Sequence, residues 1–412
     1  MTTEPESTTR ILMVTMHDHR DPRGGGPLRT RAVATALTES VGETDVVWRW
    51  PTAGHDPVTS SPAPGRFPGS DLLRCVTAFL QVLVAAARTR SFTVLRTVSW
   101  RMVRAIVALR REHTYRLSVL EYSTMAAYRP ILPEPVVIDL HNIESALARN
   151  YLASISAQRG LSGWTRRLRT RCDIAGLERV ERHLGECFAA ASVVSTHDAE
   201  TLTEIAHAQP IRVVTAPNGV SARCLRGDWD REPTVVFVAL LSWRPNIDAA
   251  RWLAHEVWPH VRAARPAARL QIVGARPARE VRELGGLPGV SVHGDVRDPL
   301  EHVGPAAVAT APLLAAGGTR LKILEALGAG TPVVATTMGA LGLERLQGPH
   351  LTIVDDPTGF ARALVDAVDR RCQVSRASVR ELASEYLWTV TLRELVDVCR
   401  ELTTGRRPSQ QS

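Results

Sequence analysis

At 412 residues, with 44% hydrophobic and 22% charged side chains, the chain has the make-up of a folded globular protein and exceeds what one hydrophobic core usually supports, so two domains are expected. Its formal net charge of +8 is basic, but the arginines are interleaved with Glu and Asp and no aromatic-rich RNA-binding pattern accompanies them. That argues against a nucleic-acid partner and for an anionic small substrate or a membrane surface.

Six cysteines without a C-x-x-C pair or a histidine at zinc spacing predict reduced thiols in a cytoplasmic protein. The polar, acidic start MTTEPESTTR predicts no signal peptide, and no uninterrupted apolar run reaches the length of a membrane span.

ILMVT from Ile11 reads as a strand buried on both faces, followed by a loop with Gly24, Gly25 and Gly26 and then a helical pattern. Strand, glycine loop and helix open a doubly wound α/β domain. A third glycine at Arg29 is missing, which argues against a nicotinamide dinucleotide fingerprint; Arg29 and Arg31 are candidates to meet an anionic acceptor. Residues 51–70 are rich in Pro, Gly and Ser and predict a surface loop. DLLRCVTAFLQVLVAAARTR and VSWRMVRAIVALRREH predict two helices packed on the sheet, with peripheral membrane contact through this N-terminal half as the alternative.

Strand-like runs resume with RLSVLEY, PVVIDLHNIES, ASVVSTHDAETL and IRVVTAPNGV. The polar segment Ser221 to Pro233 predicts an interdomain linker. A second series then follows: TVVFVALL, a helix from about Asn246, RLQIVG, VSVHGDV, AAVATAPL, a helix after Thr319, TPVVATT and LTIVDD. The expected organisation is an α/β domain over residues 8–222, a second over 231–385, and a helix crossing back with a polar tail over 386–412. Ligands of such sheets bind beyond the carboxyl ends of the strands, so a cleft between the domains is the expected site.

Within GGTRLKILEALGAGTPVVATT, Lys322 is the sole lysine of the chain against 49 arginines. Thr319 is a candidate N-cap, Gly317 and Gly318 permit close backbone approach to an oxygen, and the helix start offers free N–H groups to an anion. Leu321, Leu324 and Leu327 predict the core face. Lys322 and Glu325, one turn apart, predict a cation and a carboxylate on another face. A compact ammonium with three donors suits a diphosphate in a way a planar guanidinium does not.

Together, GGTRLKILEALGAGTPVV, PNGV from Pro217, DLHNIES from Asp139 and FVALLSWRPNIDAA from Phe237 resemble glycosyltransferase family 4, over nearly the whole chain from Ile11 to the helix containing Tyr386. The resemblance implies a GT-B fold, two Rossmann-like doubly wound parallel-sheet domains facing across a cleft. It also implies a hexosyltransferase-type enzyme of carbohydrate biosynthesis that retains configuration, needs no metal, has no cofactor, and uses a nucleotide sugar, a UDP-sugar being commonest, with a sugar-containing or small-molecule acceptor. It assigns His141, as a neutral imidazole, and Lys322 and Arg320 to catalysis. Gly25, Gly26, Gly317, Gly318, Thr319 and Glu325 fall to the donor, with Arg244 as a helper.

Departures are visible: the first of the family's two glutamates falls on Gly317, and Ala239, Leu240 and Pro245 replace a Gly-Arg and a Lys. These keep open an inactive nucleotide-sugar-binding protein and a nucleotide-sugar epimerase. Two metal decoys, Asp228 with Asp230 and His17, Asp18 with His19, are read as loop residues. Main-chain groups from Gly294 to Arg297 are candidates to read the nucleobase.

Overall fold

Apolar runs that alternate with amphipathic helices can hide both faces only in a parallel sheet, and each run named above is found in one. The computed structural model describes residues 9–21, 24–50, 69–154, 161–206, 210–314 and 321–405. They form two compact units: the first holds Gly26–Pro217 with the strand before it and the chain from Leu392 onward, the second Asn218–Thr391.

The first unit contains β1 (Arg10–His17), β2 (Glu43–Trp50), β3 (Leu117–Glu121), β4 (Val136–Leu140), β5 (Ala190–Val193) and β6 (Val213–Thr215), in the order β2-β1-β3-β4-β5-β6. All pairs are parallel. β2 is not legible in the alternation of runs, because its buried stretch is short, Asp45 with Val46, Val47 and Trp48, and is flanked by polar residues. Leu12 and Val14 share a core with Val82 of the helix Gly69–Thr89 and Ile106 of the helix Trp100–Glu112. After Leu392 the chain adds the helix Arg393–Thr404, whose Glu394 accepts from the Thr215 N–H and whose Glu401 pairs with Arg212.

The second unit contains β7 (Glu232–Val238), β8 (Arg269–Gly274), β9 (Val290–Gly294), β10 (Ala306–Ala311), β11 (Val333–Ala335) and β12 (Leu351–Ile353), in the order β12-β11-β10-β7-β8-β9, again parallel. Val235 and Phe237 pack with the helices Arg244–Trp252 and Pro357–Asp369, while Val236 packs with the helix Leu321–Gly328 on the opposite face. The segment expected as a linker is instead part of this unit: Cys224 is buried, and Arg376 lies over the Trp229 ring at 5.8 Å. The expected loop from Pro51 lies almost wholly outside the described residues.

Both orders reverse at one point, between β1 and β3 and between β7 and β10, where strand ends diverge and leave room for a ligand. Beside the second of these, on the other edge of β7, the end of β8 must pass close to the segment that follows β7. A Cβ on Gly274, which has φ +151°, would lie 1.7 Å from the carbonyl oxygen of Ala239. Gly274→Ala is therefore expected to lower stability by about 2 kcal/mol or more, because the strand ends must separate. Urea unfolding of the intact chain checks this, and a loss below about 0.5 kcal/mol would show that the approach is not required.

Candidate active site

At the first reversal two acids close apolar strands. Glu121 ends β3 and Asp139 lies in β4, both fully buried, so each must find a partner within the protein. Arg29, one turn into the helix Gly25–Ser40 and 0% exposed, meets Asp139 with two parallel bonds, Nε to Oδ2 at 2.9 Å and Nη2 to Oδ1 at 2.7 Å. Its Nη1 donates to the carbonyl of Ala216 at 2.8 Å. Glu121 Oε2 accepts from the hydroxyls of Thr15 and Thr30, each at 2.5 Å.

Its other oxygen lies 3.2 Å from Nε2 of His141, which is 3.5 Å from Asp139 Oδ2. Burial pushes the imidazole pKa down, but Glu121 and Asp139 outweigh that and raise it. Burial would raise the Asp139 carboxyl, yet Arg29 and His141 hold it well below the usual carboxylate range. Two acids, a guanidinium and an imidazole thus face one another out of contact with water.

Tyr122 sits over this cluster. It follows Glu121 in a left-handed conformation, φ 70°, that a bulky side chain rarely adopts, and its N–H donates to the Asp139 carbonyl at 2.9 Å. Its ring lies 4.1 Å from that of His141, and a Cβ on Gly26 would lie 2.7 Å from its hydroxyl. Gly26 is thus a glycine because Tyr122 and His17 press on it.

Beyond His141, Glu144 opens the helix Glu144–Ser154 beside Glu181, and burial with that second carboxylate raises its pKa to about 7.

At the second reversal the helix Leu321–Gly328 follows β10, with Leu321, Leu324 and Leu327 buried. Lys322 Nζ is 3.3 Å from Asn246 Oδ1 and 5.1 Å from the centre of the Phe237 ring. Asn246 is buried and fixed by its own amide, which donates to the Leu240 carbonyl at 3.0 Å. Burial lowers the Lys322 pKa to about 8 against the opposing pull of Glu325. Burial likewise raises Glu325 to about 7, aided by Asp298 and opposed by Arg223 and Lys322. A half-hidden ammonium whose hydrogen-bond partner is a neutral amide is a site where an anion restores what water no longer supplies.

Several sequence-based expectations change. Gly25 and Gly26 are the first residues of their helix rather than a free loop. Arg29 cannot meet an acceptor, since Asp139 and Ala216 hold it in the core; Arg31 donates to the His19 carbonyl. His141 lies between two buried carboxylates, which raise its pKa and favour the charged ring over the neutral imidazole expected. Arg244 is exposed and already neutralised by Asp248 at 2.6 Å and Glu280 at 3.2 Å. Gly317, Gly318, Thr319 and Arg320 lie outside the described residues.

Of the metal decoys, Asp18 is chelated by Arg20, and His17 and His19 stand edge-on to Tyr122 and Trp48. Glu121, Asp139 and His141 do converge within 4.8 Å, but Arg29 occupies Asp139 and supplies the positive charge that a metal would bring.

Asn246, Glu121 and Tyr122 were missed as site residues. Glu121 had a signal, a carboxylate at the end of an apolar run; Tyr122 had none, because its strain is a backbone property.

A doubly wound sheet of order 2-1-3-4-5-6 followed by one of order 3-2-1-4-5-6, each with charge at its reversal, is the GT-B fold of glycosyltransferases. Residues 232–370, within the second unit, match the family described as Glycosyl transferases group 1.

Solved structures of the same fold are similar over nearly the whole chain. A sucrose-phosphate synthase from Thermosynechococcus elongatus is 18% identical, with 97% of this chain and 100% of that one covered and a TM-score of 0.65. WaaG, a glycosyltransferase involved in lipopolysaccharide biosynthesis, is 14% identical, with 94% and 99% covered and a TM-score of 0.60. A glycosyltransferase from Rickettsia africae ESF-5 is 11% identical, with 97% and 100% covered and a TM-score of 0.59. No curated protein matches the chain by sequence.

Two outcomes follow from the buried charges. Arg29→Met strands Asp139 without its guanidinium and is expected to cost about 3–5 kcal/mol in urea unfolding; a loss under about 1 kcal/mol would mean the pair is not essential to the fold. His141 has a native pKa above 6.5, so its charge adds stability that is complete below that value and disappears as pH rises through the native one. Unfolding measured from about pH 6 to about pH 9 should show this decline in the native chain and not in His141→Gln, and identical profiles would remove the charge from His141.

Proposed function

We propose that this protein is a glycosyltransferase: a cytoplasmic, retaining, metal-independent hexosyltransferase of the family 4 type. It moves a sugar from a nucleotide sugar, with UDP as the carrier, to a hydroxyl of a sugar-containing or small-molecule acceptor. The observation that carries the reading is Lys322: the one ammonium of the chain, half-hidden at the β7/β10 reversal, held by Asn246 and over Phe237, within a glycosyltransferase group 1 domain.

As the bond from the sugar carbon to the phosphate oxygen breaks, the diphosphate gains negative charge, and a cation in a desolvated place stabilises that charge more than one in water. Lys322 is this cation. The acceptor oxygen bonds to the sugar carbon from the face the phosphate leaves, and its proton passes to a leaving-phosphate oxygen, so no carboxylate nucleophile is needed. Glu325, one turn from Lys322, is assigned to the ribose hydroxyls, and the main chain from Gly294 to the nucleobase. His141 is assigned to the sugar; because Glu121, Asp139 and Arg29 balance its charge, it adds little net field against an oxocarbenium-like transition state.

The test is incubation of the purified protein with radiolabelled sugar nucleotides, with and without cell extract. Nucleotide release with a glycosylated product is expected; isomerised sugar would mark an epimerase, and binding without turnover an inactive module. Lys322→Arg is expected to lose about 100-fold in turnover with its circular dichroism unchanged, and near-native turnover would remove Lys322 from the chemistry.

A diphosphate favours the ammonium form of Lys322. UDP affinity should therefore be flat below the pKa of about 8 and fall about tenfold per pH unit above it, with proton uptake in calorimetry. Lys322→Arg should show neither effect.

A further inference from the structure

The helix Gly69–Thr89 has one side more than its core needs. Cys75, Ala78, Val82 and Ala86 recur at helical spacing and are buried toward the interior of the first unit. The opposite side carries Leu72, Leu73, Val76, Leu80, Leu83 and Val84, all exposed, Leu73 to 73%. At 3.6 residues per turn these six fall within one arc of about 120° that contains no charge. The exposed Phe92 and Leu95 of the following helix Phe92–Thr97 extend the apolar surface.

From sequence this helix is expected to pack on the sheet, with peripheral contact with a membrane as the alternative. Asp71–Thr89 is long and apolar enough to cross one, with a mean hydropathy of 1.5, yet only 28% of it is buried, too little for the core helix of a soluble protein. It does not span, because leaving the core would uncover Val82 and Ala86 and strand Asp71, which is buried and paired with Arg111.

Charge selects the occupant. Between residues 69 and 112 there are eight arginines against Asp71 and Glu112, which accounts for six of the chain's eight net positive charges; the basic balance is thus concentrated here rather than spread evenly. Arg74 and Arg88 border the apolar arc, and Arg90 and Arg96 flank Phe92, all exposed. A second copy of this surface would bring arginines against arginines. A bilayer of anionic phospholipid offers hydrocarbon for the leucines and phosphates for the guanidiniums at the depth each requires.

We propose that the outward face of Gly69–Thr89, with Phe92 and Leu95, docks the first unit on an anionic phospholipid membrane surface, the helix lying in the plane of the headgroups. The inference goes beyond the transfer reaction and does not rest on it.

Cosedimentation of the full chain with vesicles tests it. Binding to mixed phosphatidylcholine and phosphatidylglycerol is expected to exceed binding to phosphatidylcholine alone about tenfold and to weaken with salt. The double variant Leu73→Glu/Leu80→Glu should lose about tenfold in affinity with unchanged circular dichroism, melting temperature and turnover of a soluble sugar nucleotide. If that variant misfolds, Arg88→Glu/Arg90→Glu/Arg96→Glu should abolish the preference for phosphatidylglycerol.

Equal binding by native and variant chains, or none by the native chain, overturns the proposal. So does a native dimer in light scattering that the leucine variant abolishes, which would give the face to a second copy. Retention in membranes after carbonate extraction would overturn the interfacial placement in favour of a span. Because vesicle binding and sugar transfer are read separately, failure of one leaves the other standing.

Discussion

A guanidinium taken out of water must meet its counter-charge with good geometry or the fold loses several kcal/mol, and the pairing of Arg29 with Asp139 meets that condition. Much of the first unit's site follows from it. The pair joins the first turn of the helix after β1 to β4, and through Ala216 it reaches the segment after β6. Glu121 brings in β3, and its two threonine hydroxyls come from β1 and from the turn of helix that carries Arg29. His141 completes the balance, and the strained Tyr122 covers it. The group fixes the relative heights of three strand ends at the point where the strand order reverses, which is where a precise surface is needed for a ligand.

The second unit solves the opposite problem. Its reversal point holds charge that is not balanced locally. Lys322 and Glu325 are one turn apart but each is shifted toward its neutral form by burial, and the ammonium's hydrogen-bond partner is a buried asparagine amide. A closed cluster of two acids, a guanidinium and an imidazole is a framework, whereas a desolvated cation beside an aromatic face is poised to change its state when an anion arrives. This difference explains why arginine serves at position 29 and lysine at 322. The first needs a planar fork for a bidentate carboxylate, the second a point charge whose protonation responds to its surroundings.

All six strands of the second unit and five of the first are legible in the sequence, because a strand buried on both faces has to be a short apolar run between polar segments. β2 is hidden because an edge strand tolerates Glu43, Thr44, Asp45 and Arg49 beside its buried Val46, Val47 and Trp48. The helix from Leu321 with its buried leucines, and the placing of Lys322 on another face, follow from helical period and residue chemistry. The fate of Arg29 does not, since an arginine at the start of a helix looks the same in sequence whether it faces a ligand or a carboxylate from a strand 110 residues away. Arg244 was misjudged for the same reason: its partners Asp248 and Glu280 come from its own helix and from a neighbouring one.

The sequence by itself determined the alternation of strands and helices, the two-domain α/β plan and the singular lysine, because these depend on local period and on side-chain identity. Tertiary structure alone decided which charges are consumed in holding strand ends together, which is the case for Arg29 and Arg244, and which stay poised for chemistry, as Lys322 does. It also decided that one side of an apolar helix remains uncovered. Pairing and burial are properties of what lies across the fold, and residues distant along the chain come within the few ångströms over which charge and desolvation act only once the strand order is set.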